Sequence, residues 1–105
     1  MRGDEPILLK CRAALETLYS DRLEGVILYG STARGEDARD SDIDLLVLLE
    51  GPVNAAAEIR QIWDRLYPIQ LECDREISIR PADAASYERG ESMLYQSIHE
   101  EGVPV

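Results

Sequence analysis

At 105 residues the chain has room for one domain, residues 1–105, with a modest core, and its 45% hydrophobic and 30% charged residues are those of a folded protein rather than a disordered one. The net charge of -10 argues against direct nucleic-acid binding, which runs on clustered Lys and Arg, and suits a cation site or a basic protein partner. No apolar run approaches the ~20 residues that cross a bilayer, and Met1-Arg2-Gly3-Asp4-Glu5 lacks an apolar signal core, so no membrane association and a cytoplasmic location are expected.

Ile7, Leu8, Cys11, Ala14, Leu15 and Leu18 recur at helical spacing and predict a first helix over residues 6–20, with Pro6 in its first turn. A first strand follows at 25–29, then a short helical turn at 31–35. The polar segment 36–41 reads as a surface loop, either merely solvated or closing over a substrate. Residues 43–49 lose their alternation after Asp44, the pattern of a central strand covered on both faces. Asn54 can cap a second helix over 54–67 whose apolar side holds Ala57, Ile59, Ile62, Trp63 and Leu66, with Pro68 as its stop. Trp63 fits the core better than a base-stacking platform. Alternation then predicts a third strand at 73–80, ended by Pro81, a short helix at 83–89 and a last helix at 91–101. The expected fold is α/β (α+β): a three-stranded mixed sheet with helices packed on it.

The chemistry concentrates where the first two strands end and begin. Val26-Ile27-Leu28-Tyr29 leads into Gly30-Ser31, and Asp42-Ile43-Asp44 leads into Leu45-Leu46-Val47-Leu48-Leu49. Gly-Ser at a strand end offers backbone N–H groups and a hydroxyl with nothing blocking close approach. Asp42 and Asp44, at i and i+2 on a strand, project from one face, and two adjacent carboxylates repel unless a cation lies between them. A phosphate cradle facing a carboxylate pair is what metal-assisted nucleotidyl transfer needs.

Gly30-Ser31, the ten residues Thr32 to Ser41, then Asp42-Ile43-Asp44 between two apolar runs, resemble the signature of the polymerase-β-type nucleotidyltransferase superfamily. The longer string GSTARGEDARDSDIDLLVLL is similar to the minimal nucleotidyltransferase domains often partnered with HEPN-type toxins. The ending Ile98-His99-Glu100-Glu101-Gly102-Val103 also looks like that family's closing helix and turn, so a complete minimal domain is expected. The resemblance implies magnesium held by Asp42 and Asp44, ATP as substrate with its phosphates on Gly30 and Ser31, and a third carboxylate on a neighbouring strand that shares a second magnesium and so serves as a metal ligand too. Glu76 is the candidate for that acid although the familiar residue is Asp, and Asp74 is the alternative. Arg34 either neutralises developing charge or pairs with Asp37 or Asp40.

The implied reaction moves AMP from ATP to a hydroxyl, such as a tyrosine of a HEPN-type partner. Two rivals are a catalytically weakened module that neutralises a partner by binding it, kept alive by Glu76, and a small-molecule nucleotidyltransferase, whose usual acceptor-binding domain is missing here. Tyr87, Met93, Leu94 and Tyr95 are core, or a surface for a homodimer or a helical partner. His99 is expected to be structural or solvated. Cys11 and Cys73 have no metal-ligand spacing and are expected as reduced, mostly buried thiols.

Overall fold

The computed structural model describes residues 5–33 and 42–105. Helix α1 (Glu5–Tyr19) ends in a 3-10 turn (Ser20–Arg22) that feeds β1 (Leu23–Tyr29). Then come β2 (Ile43–Leu49), α2 (Ala55–Leu71), β3 (Ile77–Asp83), α3 (Ala84–Glu88), α4 (Met93–Glu101) and β4 (Val103–Pro104). The sheet order is β3-β2-β1-β4, with β1 antiparallel to both β2 and β4, and β2 parallel to β3.

The unbroken apolar character of β2 has its reason in two cores. Ile43, Leu45, Val47 and Leu49 face one side of the sheet and pack with Leu8, Cys11 and Leu15 of α1 and Ile62, Leu66 and Ile69 of α2. Leu46 and Leu48 face the other side, where Ala82, Tyr87 and Ile98 form a smaller core. Asp44 shares the side of Leu46 and Leu48, because side chains alternate along a strand. It is therefore a carboxylate set at the edge of the smaller core, in line with the residues that anchor its strand.

Three expectations are corrected. The sheet has four strands instead of three: Val103 and Pro104 pair with Leu28 and Ile27 along the outer edge of β1. Two residues are too few to show alternation in a sequence. Helix α2 does not stop at Pro68 but runs to Leu71, because Ile69 continues the buried stripe of Ile62 and Leu66. Strand β3 accordingly starts at Ile77, four residues after the expected start, and passes through Pro81 to Asp83. A proline with no N–H is tolerated there because β3 is an edge strand. Between α2 and β3 the amide of Gln70 replaces strand pairing: its Nε2 donates to the Arg75 carbonyl at 2.9 Å and its Oε1 accepts from Ile77 N at 2.7 Å.

The inward face of α2 holds Ile62, Leu66 and the partly buried Trp63 as expected, but differs at one position. Ile59 is exposed, whereas Glu58 is buried. Its carboxylate accepts from the Tyr19 hydroxyl at 3.0 Å and pairs with Arg22 at 2.8 Å, so a charged residue is accommodated inside. Asn54 caps α2 as expected, accepting from Ala57 N at 3.2 Å. Cys11 and Cys73 are free thiols; burial, then the neighbouring Cys73, pushes Cys11 up to about 11.

Candidate active site

Antiparallel pairing of β1 with β2 brings the end of the first strand against the start of the second, with Tyr29 opposite Asp44. The chain leaves β1 through Gly30 and a turn at Ser31–Ala33. Gly30 has φ +78°, and a Cβ built on it would stand 2.5 Å from the Asp44 Oδ2. Glycine is required twice here, once for the left-handed backbone and once for the space the carboxylate fills. The Gly30 backbone and the Asp44 carboxylate are thus in direct apposition.

Asp42 is exposed just before β2, while Asp44 is half-buried within it. Partial burial, then the charge of Asp42, lifts the Asp44 carboxyl above its ordinary value, and Arg75 acts in the opposite sense. The two acids are therefore an electrostatically coupled pair. Their oxygens are hard donors of the kind magnesium takes, and the missing Cβ of Gly30 leaves Asp44 Oδ2 its place, so the residues present fit such an ion.

Two residues not assigned to the site from sequence complete its frame. Thr32 is buried, and its hydroxyl donates to the Asp42 carbonyl at 3.2 Å. The same Oγ1 accepts from Arg75 Nη2, which also reaches the Asp42 carbonyl at 3.5 Å. Thr32 lies directly beside the Gly-Ser dipeptide, a signal that could have drawn attention to it. Arg75 is 43 positions from Thr32 and carries no such signal.

Ser31 lies half-buried on the turn after Gly30. The expected helical turn is a hydrogen-bonded turn over the part described, and Arg34, Gly35, Asp37 and Asp40 lie outside the described residues. Glu76 is exposed immediately before β3, and its backbone carbonyl accepts from Ile43 N at 2.8 Å, which ties it to the head of β2. In the parallel register the residue opposite Asp44 is Ser78. Asp74 is exposed in the preceding loop. Among the described residues no group of three His, Cys, Asp or Glu side chains is gathered tightly enough to hold a metal ion, so the coupled pair stands without an assembled third acid. His99 stacks on Tyr87 at 4.0 Å between ring centroids, with its Nε2 2.7 Å from the Tyr87 carbonyl, which gives it a packing role.

The family model of the nucleotidyltransferase domain matches residues 8–103. The chain belongs to the nucleotidyltransferase domain family. A protein of Methanocaldococcus jannaschii, named as a candidate protein adenylyltransferase, is 39% identical over 44 residues, which are 42% of this chain and 44% of that protein. The shared segment thus spans less than half of the curated relative. Two solved structures share the fold: the mutant toxin-antitoxin MntA-HpeT, with TM-score 0.63 at 21% identity over 93% of this chain and 70% of that one, and a toxin-antitoxin with AMP-PNP, with TM-score 0.62 at 22% identity over 91% and 69%. The structure of a candidate nucleotidyltransferase from Sulfolobus solfataricus overlaps with TM-score 0.51 at 22% identity, covering 95% of this chain and 82% of that one. In this nucleotidyltransferase domain, Gly30-Ser31 follows β1 and Asp42-Ile43-Asp44 opens β2, so the two stretches lie at the same end of the strand pair. A separate open groove of about 410 Å³ includes Glu24, Glu50, Asp83 and Glu88 in its lining, and four acids there would repel a triphosphate.

Proposed function

We propose that this domain is a magnesium-dependent adenylyltransferase that moves AMP from ATP to a hydroxyl. The observation that carries the reading is the Asp44 carboxylate set against Gly30, where a Cβ would meet it, with Asp42 two residues before it at the head of the same strand. Asp42 and Asp44 would hold magnesium. An ion held there would supply charge stabilisation to the phosphates and to the α-phosphorus. Ser31 and the backbone of its turn receive the outer phosphates. The acceptor oxygen attacks the α-phosphorus in line, the bond to the β-phosphate oxygen breaks, and pyrophosphate leaves. Glu76, tied by its carbonyl to the head of β2, is the acid proposed to take the acceptor's proton, with Arg34 serving the developing charge.

The acceptor we infer is a tyrosine of a HEPN-type partner, which makes this chain the antitoxin of a cytoplasmic pair. The name of the archaeal relative and the toxin-antitoxin structures that share the fold support that choice. No helix among the described residues is long and apolar enough to cross a membrane. The test is label transfer with magnesium and ATP labelled at either the α- or the γ-phosphate, using a HEPN-type protein encoded beside this chain. Label should pass from the α-position only, with pyrophosphate formed in equal amount. Transfer from the γ-position would replace nucleotidyl transfer with phosphoryl transfer.

A further inference from the structure

The loop between α2 and β3 carries a cation into a site otherwise built from two strand ends, and nothing in the motif explains it. Arg75 joins three separate pieces of chain. Its guanidinium donates to Thr32 on the turn after β1 and to the Asp42 carbonyl at the head of β2, while its own backbone is held by α2 through Gln70. The Thr32 hydroxyl has one proton, which goes to the Asp42 carbonyl, so it can only accept from Arg75. The Asp42 carbonyl accepts from both the hydroxyl and the guanidinium, so the turn, the strand and the loop are cross-linked through one hydroxyl and one guanidinium. Thr32 is 4% exposed, so water competes poorly for these bonds. The guanidinium, 3.5 Å from the Asp42 carbonyl, also brings its positive charge to the strand head that carries the two acids.

Resting on the proposed magnesium and ATP site, we propose that Arg75 is its positioning residue: it straps the Gly30–Thr32 turn to the head of β2 and sets a fixed positive charge beside the Asp42–Asp44 pair. The two effects have opposite consequences. Holding the turn favours nucleotide, because Ser31 and its backbone are kept where phosphates arrive. The fixed charge opposes a bare cation, because it repels a second positive charge at the same carboxylates. A lysine retains the charge, but its shorter side chain ends before the Nη2 position from which both contacts are made.

The experiment compares native protein with Arg75→Gln, Arg75→Lys, Thr32→Val and Asp44→Asn. Two quantities are measured: Mn²⁺ binding without nucleotide, by electron paramagnetic resonance, and AMP-PNP binding with magnesium, by calorimetry. Arg75→Gln should bind Mn²⁺ tighter, on the order of fivefold, and AMP-PNP weaker, by about tenfold. Arg75→Lys should keep native Mn²⁺ affinity yet show the weakened AMP-PNP binding, and Thr32→Val should behave likewise. A residue that only stabilised the fold would weaken both ligands together. If Arg75→Gln binds Mn²⁺ no tighter than native, or Arg75→Lys retains native AMP-PNP affinity, the assignment to Arg75 falls while the acid pair stands. If Mn²⁺ binding is absent from native protein, or survives Asp44→Asn, the acid pair is not the cation site and both readings fall.

Discussion

The β1–β2 pair ends in an arginine and a carboxylate at both extremities, and the two ends treat the carboxylate differently. Where β1 begins, Glu58 is enclosed, accepts from Tyr19 and pairs with Arg22, which also donates to the carbonyls of Glu50 and Pro52 at 2.9 and 2.7 Å. Burial, then the bond to Glu58, pushes the Tyr19 phenol well above its ordinary value and keeps it a donor. Where β1 finishes, Asp44 stands beside Asp42 with its carboxyl lifted, and Arg75 spends hydrogen bonds on a hydroxyl and a backbone carbonyl. The first cluster closes on itself and holds the fold. The second keeps like charges together, an arrangement that a divalent cation relieves.

The contrast breaks first at the acids. Asp44→Ala or Asp42→Ala should cut AMP transfer by about a thousandfold or more, several kcal/mol of transition-state stabilisation, while the melting temperature stays near native. Rate and melt on the same sample check this. Arg22→Ala should do the reverse. Leaving Glu58 buried without its cation should cost about 2–3 kcal/mol in denaturant titrations, discounted because the arginine is partly exposed, with transfer per folded molecule unchanged. If the acid-pair variants lost stability along with activity, or Arg22→Ala lost activity per folded molecule along with stability, the distinction would be erased.

Gly30→Ala tests whether the two sides of the site must touch. A left-handed backbone carrying a Cβ should cost about 1–2 kcal/mol. The Cβ, built 2.5 Å from Asp44 Oδ2, should also displace that carboxylate and reduce transfer further than the stability loss explains. Denaturant titration and single-turnover rates separate the two effects.

The smallest effect sharpens the comparison most. A carboxyl raised in the folded state favours folding below its unfolded value of 3.8, and this contribution is lost as pH rises through the folded value. Asp44→Asn removes that loss, so without ligand it should melt slightly above native at neutral pH. Solvent screening holds the gain to a few tenths of a kcal/mol, or about 1–3 °C. The advantage should vanish as pH falls to the ordinary carboxylate value. Melts across that range, without divalent cations, provide the comparison.

What the sequence disclosed follows from how locally each feature is encoded. The two apolar runs and the Gly-Ser and Asp-x-Asp dipeptides lie within one stretch of chain, and pairing Tyr29 with Asp44 needs only a hairpin-like return. Glu58 was hidden because helical periodicity reads Ile59 as inward, and only the distant Tyr19 and Arg22 make an inward acid tolerable. The extension of α2 past Pro68 depends on burial of Ile69, which outweighs one lost backbone bond. The late start of β3 depends on the Gln70 amide, and no propensity reports that. Arg75 falls within the stretch that alternation reads as a strand, with no motif beside it. Its role emerges only when α2, β1 and β2 are in place around it.

The central claim is that nucleotide and cation meet at the Asp44 end of the β1–β2 pair and leave the Arg22 end untouched. Amide chemical shifts measured as AMP-PNP and magnesium are added to labelled protein test it most directly. The account predicts the largest changes at Gly30–Thr32 and Asp42–Asp44, smaller ones around Arg75, and none at Tyr19, Arg22 and Glu58. Changes centred on Asp83 and Glu88, or on the Arg22 cluster, with Gly30–Thr32 and Asp42–Asp44 unmoved, would contradict it.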